Sequence, residues 1–354
     1  MDASARADVR QQAEETVAAF GVPGLAVVAA RGGRPIVDVF LGADAQGNAV
    51  TPSSLFPVAS ITKLATSLAV LRLIDAGALA LDDPLAHHLP GAAAAQPDVT
   101  IRAVLCHTSG LPLDVPNEAS LYRQGTNWPN LAQVCFQTPL RERPWTHVQY
   151  SNVGYGLLAM IVERLTGQTF SVALTSLVID PLGIEAYLGI EPPRPPVVLA
   201  DVRGSHVGTP LEPFNSPFWR SLALPWAGLI TTPFGALELV RAFQGVPLGF
   251  LLLGTLTEAT RNQTDDLSGG YAPPLIWPRC PWGLGPEIRD EKKPHWAPPQ
   301  AAPNSFGHAG ASGCIAWADP VADVAWAILG TRTADSGWLL RRGPAIGAAI
   351  LAVR

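Results

Sequence analysis

The spacing of apolar positions changes several times along this 354-residue chain, and each change marks an element. Residues 9–19 place apolar side chains at helical spacing with polar ones between, which predicts an amphipathic helix. Two strand-like runs follow, GLAVVAA at 24–30 and IVDVFL at 36–41. The intervening Arg31-Gly32-Gly33-Arg34-Pro35 is a hairpin signal. The far end mirrors this arrangement: GCIAWA at 313–318 and VAWAIL at 324–329 flank Asp319-Pro320, and a helical pattern runs from 338 onward. From about 62 to 245 helical spacing dominates, most clearly over 64–77, 153–165 and 236–243. Two stretches, 191–197 (EPPRPPV) and the Pro- and Trp-rich 271–299, cannot continue a helix or a central strand. They read as loops, and either the wall of a substrate pocket or an ordinary surface connector fits them. Strands near both ends, with helices outside them, predict one antiparallel sheet assembled from the two ends of the chain.

Composition narrows the function classes. The chain is 48% hydrophobic and 15% charged, an apolar-rich globular composition. A net charge of -5 with scattered Lys and Arg leaves no basic face for a phosphate backbone, so nucleic acid is not an expected partner. The first fifteen residues mix charges where a secretory signal has a basic start and an apolar stretch. The most apolar helical stretches, 64–81 and 338–353, are interrupted by Arg72 and Asp75 and by Arg341 and Arg342, so neither is a clean membrane span of about 20 residues. A cytoplasmic protein with no membrane partner is the expectation. Cys106, Cys135, Cys280 and Cys314 lie far apart and form no CxxC pair, which reads as reduced thiols in the core. The seven histidines form no H-E-x-x-H or H-x-H, and His87-His88, beside a proline turn, reads as a solvated surface pair. No metal is expected.

Three short segments carry candidate chemistry. Ser60-Ile61-Thr62-Lys63 stands just before an apolar helical pattern (Leu64, Leu68, Leu71), and residues three apart share a helix face. Ser60 would present its backbone N–H in a field favouring negative charge, with an amine one turn away able to accept its proton if desolvated. An N-cap serine followed by a surface lysine is the bland alternative. Against it, the chain has only three lysines (Lys63, Lys292, Lys293), and the one outside the Lys292-Lys293 pair falls here. Tyr150-Ser151-Asn152 precedes another apolar helix. A phenol beside a lysine ammonium would have its pKa lowered and could shuttle a proton, and Asn152 could both donate and accept hydrogen bonds. The bland alternative is a turn with an ordinary cap. Gly307-His308-Ala309-Gly310-Ala311-Ser312-Gly313 leads into a strand. Backbone N–H groups there could stabilise an oxyanion, or the segment could be a tight turn with a surface histidine.

Each segment is ambiguous alone. Their order, Ser-x-x-Lys, then Tyr-x-Asn about ninety residues later, then His-x-Gly near the C-terminal strands, resembles the class C β-lactamase-like superfamily of penicillin-binding proteins, D-alanyl-D-alanine carboxypeptidases, D-aminopeptidases and family VIII carboxylesterases. LCHTSGL at 105–111, YSNVGYGLLAMIVERLTG at 150–167, WAGLITTPFGALELVRAF at 226–243 and WGLG at 282–285 are similar too. The resemblance runs from about residue 15 to about residue 350. It implies that Ser60 attacks a carbonyl, that Lys63 and Tyr150 act together as general base, and that Tyr150 helps deliver the hydrolytic water. Asn152 would orient substrate, and His308 would stand where the family usually has Lys. Gly310 and Ala311 would border the substrate, with the N–H groups of Ser60 and Ala311 as the oxyanion hole. No cofactor is implied.

The family usually carries Thr or Ser at the position of Ala309, where a hydroxyl helps hold a substrate carboxylate. With Ala309 there, and a largely neutral histidine as the neighbouring cation, the expected substrate is a small-molecule ester or amide, with an ester lacking an adjacent carboxylate favoured. The rivals are a β-lactamase or D-alanyl-D-alanine carboxypeptidase/D-aminopeptidase, and a non-catalytic binding protein on the same fold. An α/β-hydrolase would need a G-x-S-x-G elbow, which is absent, with GASGC around Ser312 coming nearest. A cysteine hydrolase built on Cys106 and His107 suffers from adjacent side chains that diverge. The expected fold is α/β (α+β). Residues 1–57 and 280–354 form an antiparallel sheet flanked by helices, and 58–279 form an inserted all-α subdomain carrying Ser60, Lys63 and Tyr150. Oligomeric state is not legible.

Overall fold

A computed structural model describes residues 3–116 and 121–354. Its main sheet has six antiparallel strands: β1 (Gly24–Arg31), β2 (Arg34–Gly42), β3 (Glu287–Ile288), β4 (Phe306–Gly310), β5 (Cys314–Asp319) and β6 (Val324–Gly330), in the spatial order β2-β1-β6-β5-β4-β3. β1 and β2 are joined through Gly32 and Gly33 at φ 52° and 76°. Positive φ at both central residues is what a twist-matched two-residue hairpin needs, and glycine adopts it without a Cβ penalty. The β5–β6 turn is held by the Asp319 carboxylate, whose Oδ1 accepts from the backbone N–H of Val321 and Ala322. β1 then pairs with β6, Val28 opposite Ala327, which closes the sheet from the two ends of the sequence.

Alternation along β1 sorts its side chains to two buried faces. Leu25, Val27 and Ala29 join Trp317, Trp326 and Ile328 beneath helices α1 (Ala3–Phe20) and α6 (Trp338–Ala352). Arg342 of α6 ties this layer together. Its guanidinium, nearly buried, donates to Gln12 and Thr16 and pairs with Glu15 of α1. Ala26, Val28 and Ala30 face the other way, with Ala316, Ala318, Ala325 and Ala327, toward α5 (Pro233–Ala242). Small side chains there let α5 approach the sheet closely. Thr232 caps α5 by accepting from Gly235 N, and Pro233 starts its first turn.

The core on this second face continues without a break into the intervening region. That region is built around α2 (Thr62–Asp75), α3 (Trp128–Gln137) and α4 (Asn152–Thr166). α2 is buried from Thr62 through Leu71, the signature of a central rather than a surface helix. The intervening region is mostly helix and loop but also holds two three-stranded patches. One joins Phe56–Pro57, Ile230–Thr231 and Ala186–Tyr187, and the other Val148–Gln149, Gly269–Gly270 and Ile276–Trp277. α5, assigned by sequence to the inserted region, packs on the main sheet. The stretch 306–310, read from sequence as a glycine-rich lead, is itself a strand. It lacks β-branched residues, and its conformation is imposed by its ladder with β5.

Candidate active site

Ser60 sits in a single 3₁₀ turn, Ala59–Ile61, that runs directly into α2. Ala59 has φ 46°, a left-handed conformation that a non-glycine residue adopts only under constraint from its surroundings. The constraint comes from two sides. Val58 N–H bonds Leu229 O at 3.0 Å, and the Thr62 hydroxyl donates to Ala59 O while accepting from Leu229 N. β4 packs on the same turn so tightly that a Cβ on Gly310 would lie 2.3 Å from Val58 O. Gly310 and the exposed Ala311 beyond it therefore border the partly exposed Ser60.

One helical turn on, Lys63 is fully buried. Its Nζ donates to Asn152 Oδ1 at 2.6 Å and to Trp226 O at 3.1 Å, and lies 3.4 Å from Ser60 Oγ. It also stands 4.6 Å from the centre of the Tyr150 ring. Burial pushes Lys63 well below the usual lysine range, opposed in part by the negative charge of Asp114. Asn152, the first residue of α4, bridges the two: its Nδ2 donates to Asp114 Oδ1 at 2.6 Å. Asp114 carries no sequence signal, and its role as Asn152's outer partner exists only in three dimensions.

Tyr150 reaches the same point from the strand pair at Val148–Gln149. Its ring packs against those of His107, 4.5 Å away, and Tyr271, 4.4 Å away. The phenol corrects the sequence expectation. Burial raises its pKa well above the ordinary value, and a contact with Ser60 only partly offsets this. The lowering was expected from an adjacent ammonium, but the same desolvation drives Lys63 toward its neutral amine. The Ser60 contact falls short of a well-formed hydrogen bond, so Tyr150 Oη remains an unpaired buried polar atom.

His308 is fully buried on β4, with Nδ1 2.7 Å from Ala309 O and its ring 5.8 Å from that of Tyr150. Nδ1 therefore carries the proton and donates it. Nε2, without a partner, keeps its lone pair. Burial, then the Lys63 charge, pushes His308 down to about 3, so it is neutral at pH 7. Ala309 belongs to the core on the opposite face of the sheet. A hydroxyl in its place would follow the strand's alternation away from His308, so Ala309 is not the substrate-facing position that the sequence comparison assigns it.

Two further corrections concern histidines. The sequence suggests His107 only as a partner for Cys106. Its Nδ1 instead accepts from Ser151 N–H at 3.1 Å, its carbonyl accepts from Gln149 N–H, and burial pushes it well below the usual histidine range. Burial raises the Cys106 thiol to about 11, which leaves no thiolate for a cysteine mechanism. Of the pair read as solvated, only His87 is exposed. His88 is buried with Nε2 2.8 Å from Asp83 Oδ2. Asp83, His87 and His88 form the only group of metal-ligand type among the described residues, and the Asp83–His88 contact already satisfies its buried member. All four cysteines are buried and unpaired by disulfides.

A sheet closed from both chain ends, a helix started by a serine with a buried lysine one turn later, and a tyrosine delivered against both define a serine hydrolase of the β-lactamase and transpeptidase fold. The chain belongs to the Beta-lactamase family, whose model matches residues 9–345. Penicillin-binding protein 4 of Amycolatopsis lactamdurans is 30% identical over 277 residues, covering 75% of this chain and 68% of that protein. A β-lactamase structure from Mycobacterium bovis is 27% identical with TM-score 0.68, covering 96% of this chain and 98% of that one. EstCE1, described as a hydrolase with promiscuous acyltransferase activity, superposes at TM-score 0.79 with 20% identity over 99% of both chains. The D-amino acid amidase of Ochrobactrum anthropi does so at 0.78 and 20%, over 99% of this chain and 100% of its own. These last two likenesses are of fold.

Proposed function

We propose that this hydrolase cleaves small carboxylic esters through an acyl-enzyme on Ser60, with Lys63 as the proton acceptor and Tyr150 as the proton relay. The observation that carries the reading is the charge state of the pocket. Lys63 is driven toward the neutral amine, and the fully buried His308 is held neutral. Neither offers the fixed positive charge that would hold the carboxylate of a β-lactam or a D-alanyl terminus, whereas an uncharged ester needs none.

The contacts of Lys63 suit a base. A neutral amine has two N–H groups, and its two shorter contacts, Asn152 Oδ1 and Trp226 O, are to oxygens that only accept. Its lone pair is then left for the third neighbour, Ser60 Oγ. As Oγ attacks the ester carbonyl, its proton passes to Lys63 Nζ, and the oxyanion forms against the backbone N–H groups of Ser60 and Ala311. Collapse expels the alkoxide. The Tyr150 phenol, kept protonated by burial, gives its proton to that alkoxide and takes one from Lys63. Water then reverses the sequence, its proton passing through Tyr150 to Lys63 and onward to the departing Ser60 Oγ.

Intact-mass labelling with a fluorophosphonate, alongside p-nitrophenyl butyrate and nitrocefin turnover, tests both parts. A single adduct lost in Ser60→Ala, with ester turnover well above nitrocefin turnover, is the expected result. Labelling with nitrocefin preferred would keep the nucleophile and move the substrate to β-lactams. No labelling in the folded wild type would overturn the acyl-enzyme and favour a binding protein.

A further inference from the structure

The segment 271–299 carries a set of buried charges that the chemistry above does not use. Glu287 and Lys292 are both fully buried at their side chains and joined at 2.9 Å. Lys292 Nζ also donates to Pro281 O at 2.9 Å, and His295 Nε2 lies 3.4 Å from the same Glu287 oxygen. The other carboxylate oxygen accepts from the Tyr271 hydroxyl at 2.9 Å. An ion pair in such a place is a poor way to gain stability, because desolvation consumes most of its attraction and an apolar pair of equal volume does as well or better. What it supplies is a fixed acceptor for Tyr271.

Tyr271 lies on Tyr150, ring centre to ring centre 4.4 Å. The phenol of Tyr150 has no hydrogen bond of its own to set its direction, so its ring is aimed by the groups packed against it, Lys63 Nζ and the neighbouring rings. One is His107, ring centre to ring centre 4.5 Å, fixed through Nδ1 and its carbonyl to the backbone of Ser151 and Gln149. Another is Tyr271, fixed through Oη to Glu287. Trp282 backs all three rings, with centroid distances of 4.6 Å to His107 and 5.9 Å to Tyr150 and Tyr271. Main-chain pairing joins the clamp to the rest of the pocket. Tyr150 N–H bonds the carbonyl of Gly270, the neighbour of Tyr271, and Glu287 pairs in the sheet with Gly307, the neighbour of His308.

We infer that Tyr271 is a positioning residue for Tyr150, its ring held against the Tyr150 ring by the hydrogen bond from its hydroxyl to the buried Glu287–Lys292–His295 cluster. The inference rests on Tyr150 being the proton relay proposed above. A relay that swings by about 1 Å loses on the order of 10²-fold in rate, so loosening a group packed against its ring reduces kcat while leaving substrate binding almost untouched.

The test measures kcat and KM for p-nitrophenyl butyrate per site titrated with fluorophosphonate, so that misfolded protein does not count. Tyr150→Phe comes first: full activity per site there removes the relay reading itself, and the positioning claim with it. With Tyr150→Phe impaired, Tyr271→Phe is expected to lower kcat per site roughly 10-fold with KM within about twofold, and Tyr271→Leu to lower it further, toward 10²-fold. Wild-type kcat per site in Tyr271→Phe overturns the inference and leaves the relay standing. A second pair of variants reads the same bond from its other end and serves should Tyr271→Phe fail to fold. Glu287→Gln/Lys292→Met keeps an acceptor for Tyr271 and is expected within about threefold of wild type. Glu287→Leu/Lys292→Met removes the acceptor and is expected to match Tyr271→Phe. Equal kcat in the two double variants also overturns the inference.

Discussion

Asp114 acts on Lys63 through its charge, while its hydrogen bond to Asn152 depends only on an oxygen acceptor. Asp114→Asn separates the two, since the amide oxygen can still accept from Asn152 Nδ2. The Asp114 charge favours the ammonium and raises the Lys63 pKa, so its removal lowers that pKa further. In the proposed chemistry activity rises as Lys63 loses its proton. The acid limb of kcat/KM, which reports the Lys63–Tyr150 pair as a unit, is therefore expected to move to lower pH in Asp114→Asn. A limb that stays in place or moves upward would separate Asp114 from the base. Some of this residue-level picture was legible in the sequence. Ser60 and Lys63 announce their contact because three residues of helix put them on one face, whatever the tertiary context. Tyr150 and Asn152 were legible only through family resemblance. The direction of the Tyr150 shift was not, because it depends on how completely Lys63 is desolvated, and no local pattern encodes that. Asp114, Glu287 and Lys292 carried no signal either: a charge in a loop reads as solvated until the fold shows what covers it.

At the scale of elements, the proposed nucleophile's turn and β4 are held together by close backbone packing. Gly310 matters there for the space it leaves, its missing Cβ making room for Val58 O. Gly310→Ala must displace either the strand or the turn that carries Ser60. A loss of about 1–3 kcal/mol, the usual cost of overpacking, is expected by denaturant unfolding, together with a fall in fluorophosphonate labelling rate larger than the stability loss explains. Unaltered labelling kinetics would mean that the turn tolerates the shift. The hairpins and the main helices were readable because glycine pairs and 3.6-residue spacing are local instructions, whereas the Thr232-Pro233 start of α5 lies ahead of the 236–243 that spacing alone picks out. β4 was not readable, since FGHAG, with two glycines and no β-branched residue, has little strand propensity beyond Phe306 and takes its form from β5. The segment 271–299 read as a loop, pocket wall or connector, for the related reason that its order comes from non-periodic buried partners, Trp277, Cys280 and Trp282 among them.

The whole molecule depends on its terminal helices lying side by side on one face of the sheet, away from the face into which the Ser60 region continues. Arg342 is their main polar tie, through Gln12, Glu15 and Thr16. Arg342→Met keeps much of the aliphatic stem's packing and removes the bonds. The expected cost is about 1–3 kcal/mol, a few degrees in Tm for a chain of this size, with kcat/KM unchanged. A parallel loss of kcat/KM would show that the helical layer and the pocket are mechanically coupled.

Closure of the sheet from both ends of the sequence also sets a timetable for biosynthesis. β1 lies between β2 and β6, and the hydrogen bond from Gly24 N to Thr331 Oγ1 beside that ladder spans 307 residues. On a ribosome adding about 5–20 residues per second, the apolar strand GLAVVAAR waits on the order of 15–60 s before its second neighbour exists. Throughout that interval one edge and much of both faces of β1 stay unsatisfied, the condition under which nascent chains pair with each other. The same strand that anchors the finished sheet is thus an unpaired edge for most of the chain's synthesis.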